Sequence, residues 1–281
     1  MIIDCNLGKI LVRITLTKFG FISESDSHFI LKILNETFDR LQPHERELVD
    51  VLLFKKSSSL SAHLQQEYQQ SGVMVDRFDD LFIAMHDAWR GIPRISVSLE
   101  RLDQLPKQVV LGALRHEVGH AVLHGEIGYY LLPRIDVFDS LDLSKKYIAN
   151  LIYLISIAVK DYEVTRLLTS KGFEKDQKAY VDYLLIPSDG DVYTWFLASK
   201  KKATQVLFVV SCLKQLCSAV ALNPDLYKLP QVYPFLPKRL TTKMSKLLNE
   251  VQKFPLGKTI ENIERLARLI YEELMGDVSH D

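Results

Sequence analysis

The segment Leu114-Arg115-His116-Glu117-Val118-Gly119-His120-Ala121-Val122-Leu123-His124-Gly125 constrains this 281-residue chain more than any other. Val109, Val110, Leu111, Leu114, Val118, Ala121 and Val122 predict a buried helix, with Pro106 in its first turn and Gly125 at its end. A buried helix that carries two histidines and a glutamate needs partners for them. Residues four apart share a helix face, about 6 Å apart along the axis. Imidazoles at 116 and 120 can therefore reach one cation, and Glu117 projects beside it.

Nitrogen ligands in this arrangement suit one zinc ion, which keeps an open position when the protein supplies three ligands. Glu117 is then placed to take a proton from a metal-activated water. His124 is a further four residues on, about 12 Å up the helix from His116. That is too far for one straight helix to offer all three histidines to one ion. An outer or surface role is expected for it, and a third histidine six residues after His120 is absent.

The third protein ligand must come from elsewhere in the chain. After His124 the next histidine is His280, so a carboxylate is the better source. Asp161 and Glu163 interrupt the apolar helical stripe Ile157–Leu168. Either of these two acids could supply the ligand. They are about 200° apart around a helix, so both are not expected on one ion.

The remaining patterns place this segment between two unlike halves. Before it, Lys9–Thr17 and Leu48–Phe54 read as strands, and Ser27–Leu41 and Ser59–Gln70 as helices. Asp80–Ala88 and Pro93–Leu99 follow as strands that could form a hairpin at Gly91. After it come helical patterns at Ser144–Thr169, Glu174–Leu185, Tyr193–Ala221, Leu236–Val251 and Thr259–Met275, punctuated by prolines. The expected class is α+β, with an α/β lobe over residues 1–125 and a helical lobe over 126–281 that supplies the third metal ligand.

The overall charge is balanced. Lys plus Arg and Asp plus Glu both number 35, so no global field draws the chain to nucleic acid or anionic membranes. The run Lys200-Lys201-Lys202 reads as a solvated helix start. Cys5, Cys212 and Cys217 form no paired motif, which fits a reduced, cytoplasmic setting. Residues 1–5 do not begin a signal sequence. Tyr147–Val159 and Val206–Leu222 read as buried helices rather than membrane spans. A peptide or protein substrate is the expected partner, and the oligomeric state is left open.

With these residues in view, the chain resembles gluzincin-type zincin metallopeptidases, including prokaryotic and archaeal predicted peptidases. The likeness covers roughly residues 94 to 168 and rests on His116-Glu117-x-x-His120. A second, weaker likeness is Asp161-Tyr162-Glu163-Val164-Thr165, against a later family helix that brings an acidic ligand. The resemblance implies Asp161 as the metal ligand, although it stands where Glu is usual and Thr165 where an acid or Asn is usual, and Glu163 remains the alternative. The resemblance implies a zincin-like lobe with a small mixed sheet, and a zinc peptidase with Glu117 as general base. It also implies that Arg94–Leu99 is a sheet-edge strand holding extended substrate by backbone hydrogen bonds. Peptide hydrolysis further requires a group to stabilise the oxyanion, and Tyr129, Tyr130, Tyr180 and Tyr183 are candidates. The alternative is a non-catalytic binding or regulatory module whose metal is structural.

Overall fold

The computed structural model describes residues 11–70, 83–223 and 229–276. Residues 9–10 and 80–82 of the expected strands, together with Cys5 and His280, lie outside them. The chain divides into two units, 1–130 and 131–281.

The first unit is built on a mixed sheet. Its elements are β1 (Arg13–Phe19), α1 (Glu24–Arg40), β2 (Leu48–Phe54), α2 (Ser57–Gln70), β3 (Ala84–Asp87), β4 (Arg94–Ser98), a single turn α3 (Leu99–Leu102) and α4 (Lys107–His124). The strand order is β1-β2-β4-β3, with β1, β2 and β4 parallel and β3 antiparallel to β4. Parallel neighbours need crossovers, and α1 supplies the one between β1 and β2. Side chains alternate between sheet faces. Val51, Ile95 and His86 are paired across β2, β4 and β3 and share one face. Leu52 and Phe54 occupy the other face, where they cluster with Leu60 and Leu64 of α2.

The expected edge position of Arg94–Leu99 is corrected here. β4 is flanked on both sides, by β2 and by β3, and all five of its residues are buried. Its backbone groups are already spent on those ladders, so no extended peptide can add to it. Among the described residues the outer strands are β1 and β3. Arg94 instead belongs to a charged cluster. Its Nε donates to Asp87 Oδ2 at 2.9 Å, and its Nη1 donates to Glu67 Oε1 at 2.8 Å. Asp87 stands directly opposite Arg94 in the β3–β4 ladder, so this cluster ties α2 to both strands.

The second unit contains helices and no strand among its described residues. It comprises α5 (Lys145–Ser170), α6 (Glu174–Leu184), α7 (Asp189–Ala198), α8 (Lys202–Leu222), a single turn α9 (Leu229–Val232), α10 (Lys238–Val251) and α11 (Thr259–Ile270), which runs into a π turn at Tyr271–Met275. α5 and α8 form its centre, where Ile155, Val159, Val209, Leu213 and Leu216 join one apolar core. α8 is long and apolar enough to cross a membrane, and 61% of that stretch is buried within the protein.

The helix expected over Tyr193–Ala221 is two helices. Residues 199–201 break it, and side chains of the first turn of α8 hold the break. Thr204 Oγ1 donates to the carbonyl of Ala198 at 2.7 Å, and Gln205 Nε2 donates to that of Ser199 at 2.7 Å. These bonds satisfy carbonyls that a continuous helix would have used itself.

Candidate metal centre

α4 positions the motif. Pro106 is its N-cap, with ψ at 141°, and it lacks the backbone N–H that a first turn could not use. The helix is buried on nearly every side, by Val109, Val110, Ala113, Leu114, Val118 and Ala121 among others, and within its unit it packs on α1, β3 and β4. It stops at Gly125, where φ is −77°, so the glycine is not there for a left-handed backbone. Space is the reason: a Cβ at 125 would stand 2.3 Å from the Ala121 carbonyl oxygen and 2.8 Å from Pro93 Cγ.

On this helix His116 is 4% exposed and Glu117 6% exposed. His116 Nε2 lies 3.2 Å from His120 Nε2. Two nitrogens each about 2.0–2.1 Å from a tetrahedral zinc stand about 3.3 Å from each other, so the pair fits two ligands of one ion. The other nitrogen of His120, Nδ1, lies 3.2 Å from Nδ1 of buried His124. That contact engages Nδ1, so Nε2, which faces His116, is the nitrogen that could take a metal, the usual arrangement around a metal-bound imidazole. His124 thus meets His120 through the nitrogen that does not face His116.

A histidine that sequence reasoning did not single out completes the surroundings. His86 of β3 lies nearly parallel to the His120 ring, with centroids 6.0 Å apart and 8° between planes. Its Nδ1 is 2.8 Å from the Tyr130 hydroxyl. Tyr129 meets His124 edge to face at 5.2 Å. Two of the four tyrosines named from sequence thus border the histidine cluster, while Tyr180 and Tyr183 belong to α6 in the helical unit. His86 was legible only as a polar residue in a short strand, and pairing of β3 with β4 turns it toward α4.

Asp161 and Glu163 both lie on α5, and both are buried. Their surroundings within the helical unit differ. Glu163 is fully buried, and its two oxygens accept from Thr259 Oγ1 at 2.6 Å and Asn262 Nδ2 at 2.7 Å. It anchors the start of α11 to α5. Asp161 has a longer contact, 4.0 Å, from its Oδ2 to Lys214 Nζ of α8.

Comparison of the chain with protein-family models, curated proteins and solved structures gives no match.

Proposed function

We propose that the chain is a zinc-dependent peptidase. The observation that carries this reading is the 3.2 Å separation of His116 Nε2 and His120 Nε2, with Glu117 one residue after the first of them. The proposed donor set is His116, His120 and a carboxylate oxygen of Asp161. Asp161 is preferred to Glu163 because both Glu163 oxygens already hold α11. A zincin-like lobe is supported by a small mixed sheet that leads directly into the helix bearing the motif.

Bound zinc supplies Lewis acidity, polarising a carbonyl and making water a nucleophile near neutral pH. The rest falls to the chain's own groups. Glu117 accepts the proton of the attacking water and passes it to the leaving amine. His124 fixes the ring of His120. Tyr130, whose hydroxyl is 2.8 Å from His86 Nδ1, and Tyr129, against His124, are the candidates in the first unit for the oxyanion donor.

The deep burial of His116 and Glu117 favours one other reading, a binding module in which the metal is structural. Glu117→Gln separates the two. It keeps shape and hydrogen-bonding reach but takes no proton, so cleavage of a peptide library should fall by about 10²–10⁴-fold with zinc content unchanged. Equal cleavage by both proteins would refute the mechanism. A wild-type protein that holds zinc and cleaves nothing would favour the binding module.

A further inference from the structure

The helical unit presents a surface that its own core does not explain. α7 packs inward through Trp195, whose ring lies 5.4 Å from that of Phe208 on α8, and through Ala198. Outward it shows Val192, Tyr193, Phe196 and Leu197, which are 45%, 64%, 60% and 46% exposed. At 100° per residue these four span an arc of about 140°. On a surface helix of a globular protein that arc is ordinarily polar. Ile186, three residues before the helix, is also apolar and 71% exposed.

Charge is distributed unequally along this helix. Lys200, Lys201 and Lys202 follow its C-terminal end, and Lys200 Nζ sits 4.8 Å from the centre of the Phe196 ring. The acids, Asp189 and Asp191, lie in its first turn. Asp191 is used in the cap, accepting from the Ser188 backbone N–H and hydroxyl at 2.7 Å each. An antiparallel pair of α7 helices from two copies would therefore offer mainly Asp189 to three lysines. An anionic bilayer meets both features at once. Aromatic and branched side chains enter the headgroup boundary, and lysines at the same end pair with lipid phosphates and carboxylates.

We infer that α7 and the lysines after it dock the protein on an anionic lipid surface, with the Phe196–Leu197 end of the helix inserted. This goes beyond the peptidase reading and does not depend on it. It involves no membrane span, since the face lies on an interfacial helix and α8 remains in the core.

The test is co-sedimentation of the full chain with large vesicles of phosphatidylcholine, with and without phosphatidylserine. Binding should require phosphatidylserine and weaken as salt is raised. Lys200→Gln and Lys201→Gln should each lower the partition coefficient by about fivefold. Phe196→Asp with Leu197→Asp should remove binding. All four side chains are exposed or border solvent, so circular dichroism melts should match wild type. If the double aspartate variant fails to fold, the lysine variants and Phe196→Ser give the same decision. The inference is overturned if the wild type ignores phosphatidylserine vesicles, or if the variants bind them as well as wild type does. It is likewise overturned if the wild type is a dimer that Phe196→Ser dissociates and neither protein binds vesicles, because the face then belongs to a second copy.

Discussion

His116 Nε2 and His120 Nε2 stand 3.2 Å apart on one face of α4, within about 0.2 Å of the ligand-to-ligand edge of a tetrahedral zinc site. Neither nitrogen needs to move far for one ion to bridge them. The protein is accordingly expected to hold about one equivalent of zinc, and His116→Ala or His120→Ala to lose it. Metal analysis of the three proteins, after mild purification and after reconstitution, decides this. Absence of any transition metal in the reconstituted wild type would remove the basis of the site.

His124 tests whether the contact to His120 Nδ1 matters. Outer partners of ligating histidines are worth about 10–100-fold in metal affinity. His124→Phe fills the same buried space but offers no ring nitrogen. It should weaken zinc binding by that range in a competition titration with a chelator, while the protein remains able to take one ion. Loss of all binding would make His124 a ligand, contrary to its assigned role.

The two acids of α5 should separate by phenotype. Asp161→Asn is expected to weaken zinc binding strongly with a modest effect on the zinc-free protein. Glu163→Ala should do the opposite. It strands the buried Thr259 hydroxyl and removes one of two acceptors of the Asn262 amide, which keeps the Pro255 carbonyl, at a cost on the order of 1–4 kcal/mol. Urea unfolding of the metal-free proteins alongside chelator titration gives both numbers. Zinc affinity that survives Asp161→Asn but collapses in Glu163→Gln would reverse the assignment.

Asp87 gives a pH signature in the sheet. Burial pushes its carboxyl up to about 6, with Arg94 pulling the other way, from an ordinary 3.8. Between those values the folded chain holds a proton that the unfolded chain has released, so stability falls as pH rises. The contribution is complete below about pH 4 and is lost as pH passes through about 6. Asp87→Asn stays neutral throughout. Urea midpoints of the variant, followed from about pH 4 to pH 7, should decline less over that window than those of the wild type. Parallel slopes would show that Asp87 titrates normally.

Much of the architecture was legible because local periodicity carries it. β2 was expected at Leu48–Phe54 and occupies those residues. α4 follows from an apolar pattern bounded by Pro106 and Gly125, and α5, α6 and α11 begin within one residue of their expected starts. Local signals failed where neighbours in space decide the outcome. Nothing in Arg94–Ser98 says whether it is an edge or an inner strand. Pairing with β2 on one side and β3 on the other made it inner, and turned Arg94 into the partner of Asp87 and Glu67. Tyr193–Ala221 reads as continuous because Lys200 and Lys201 are acceptable helix residues. Thr204 and Gln205 end α7 by bonding its last carbonyls, which composition does not reveal.

The sequence by itself determined the histidine pair on which the proposed metal chemistry rests, because a four-residue spacing on a helix places His116 and His120 on one face whatever surrounds them. It also made Asp161 and Glu163 the candidates on α5 for the proposed third ligand, since those acids interrupt its apolar stripe. Only tertiary structure decided what each group is already engaged with. Contacts between residues 96 and 99 positions apart commit Glu163 to Thr259 and Asn262. A strand 34 residues before the motif's second histidine lays His86 against His120 and joins it to Tyr130. Such engagements arise between distant segments whose separation in the chain carries no period, so they form only when helices and strands pack.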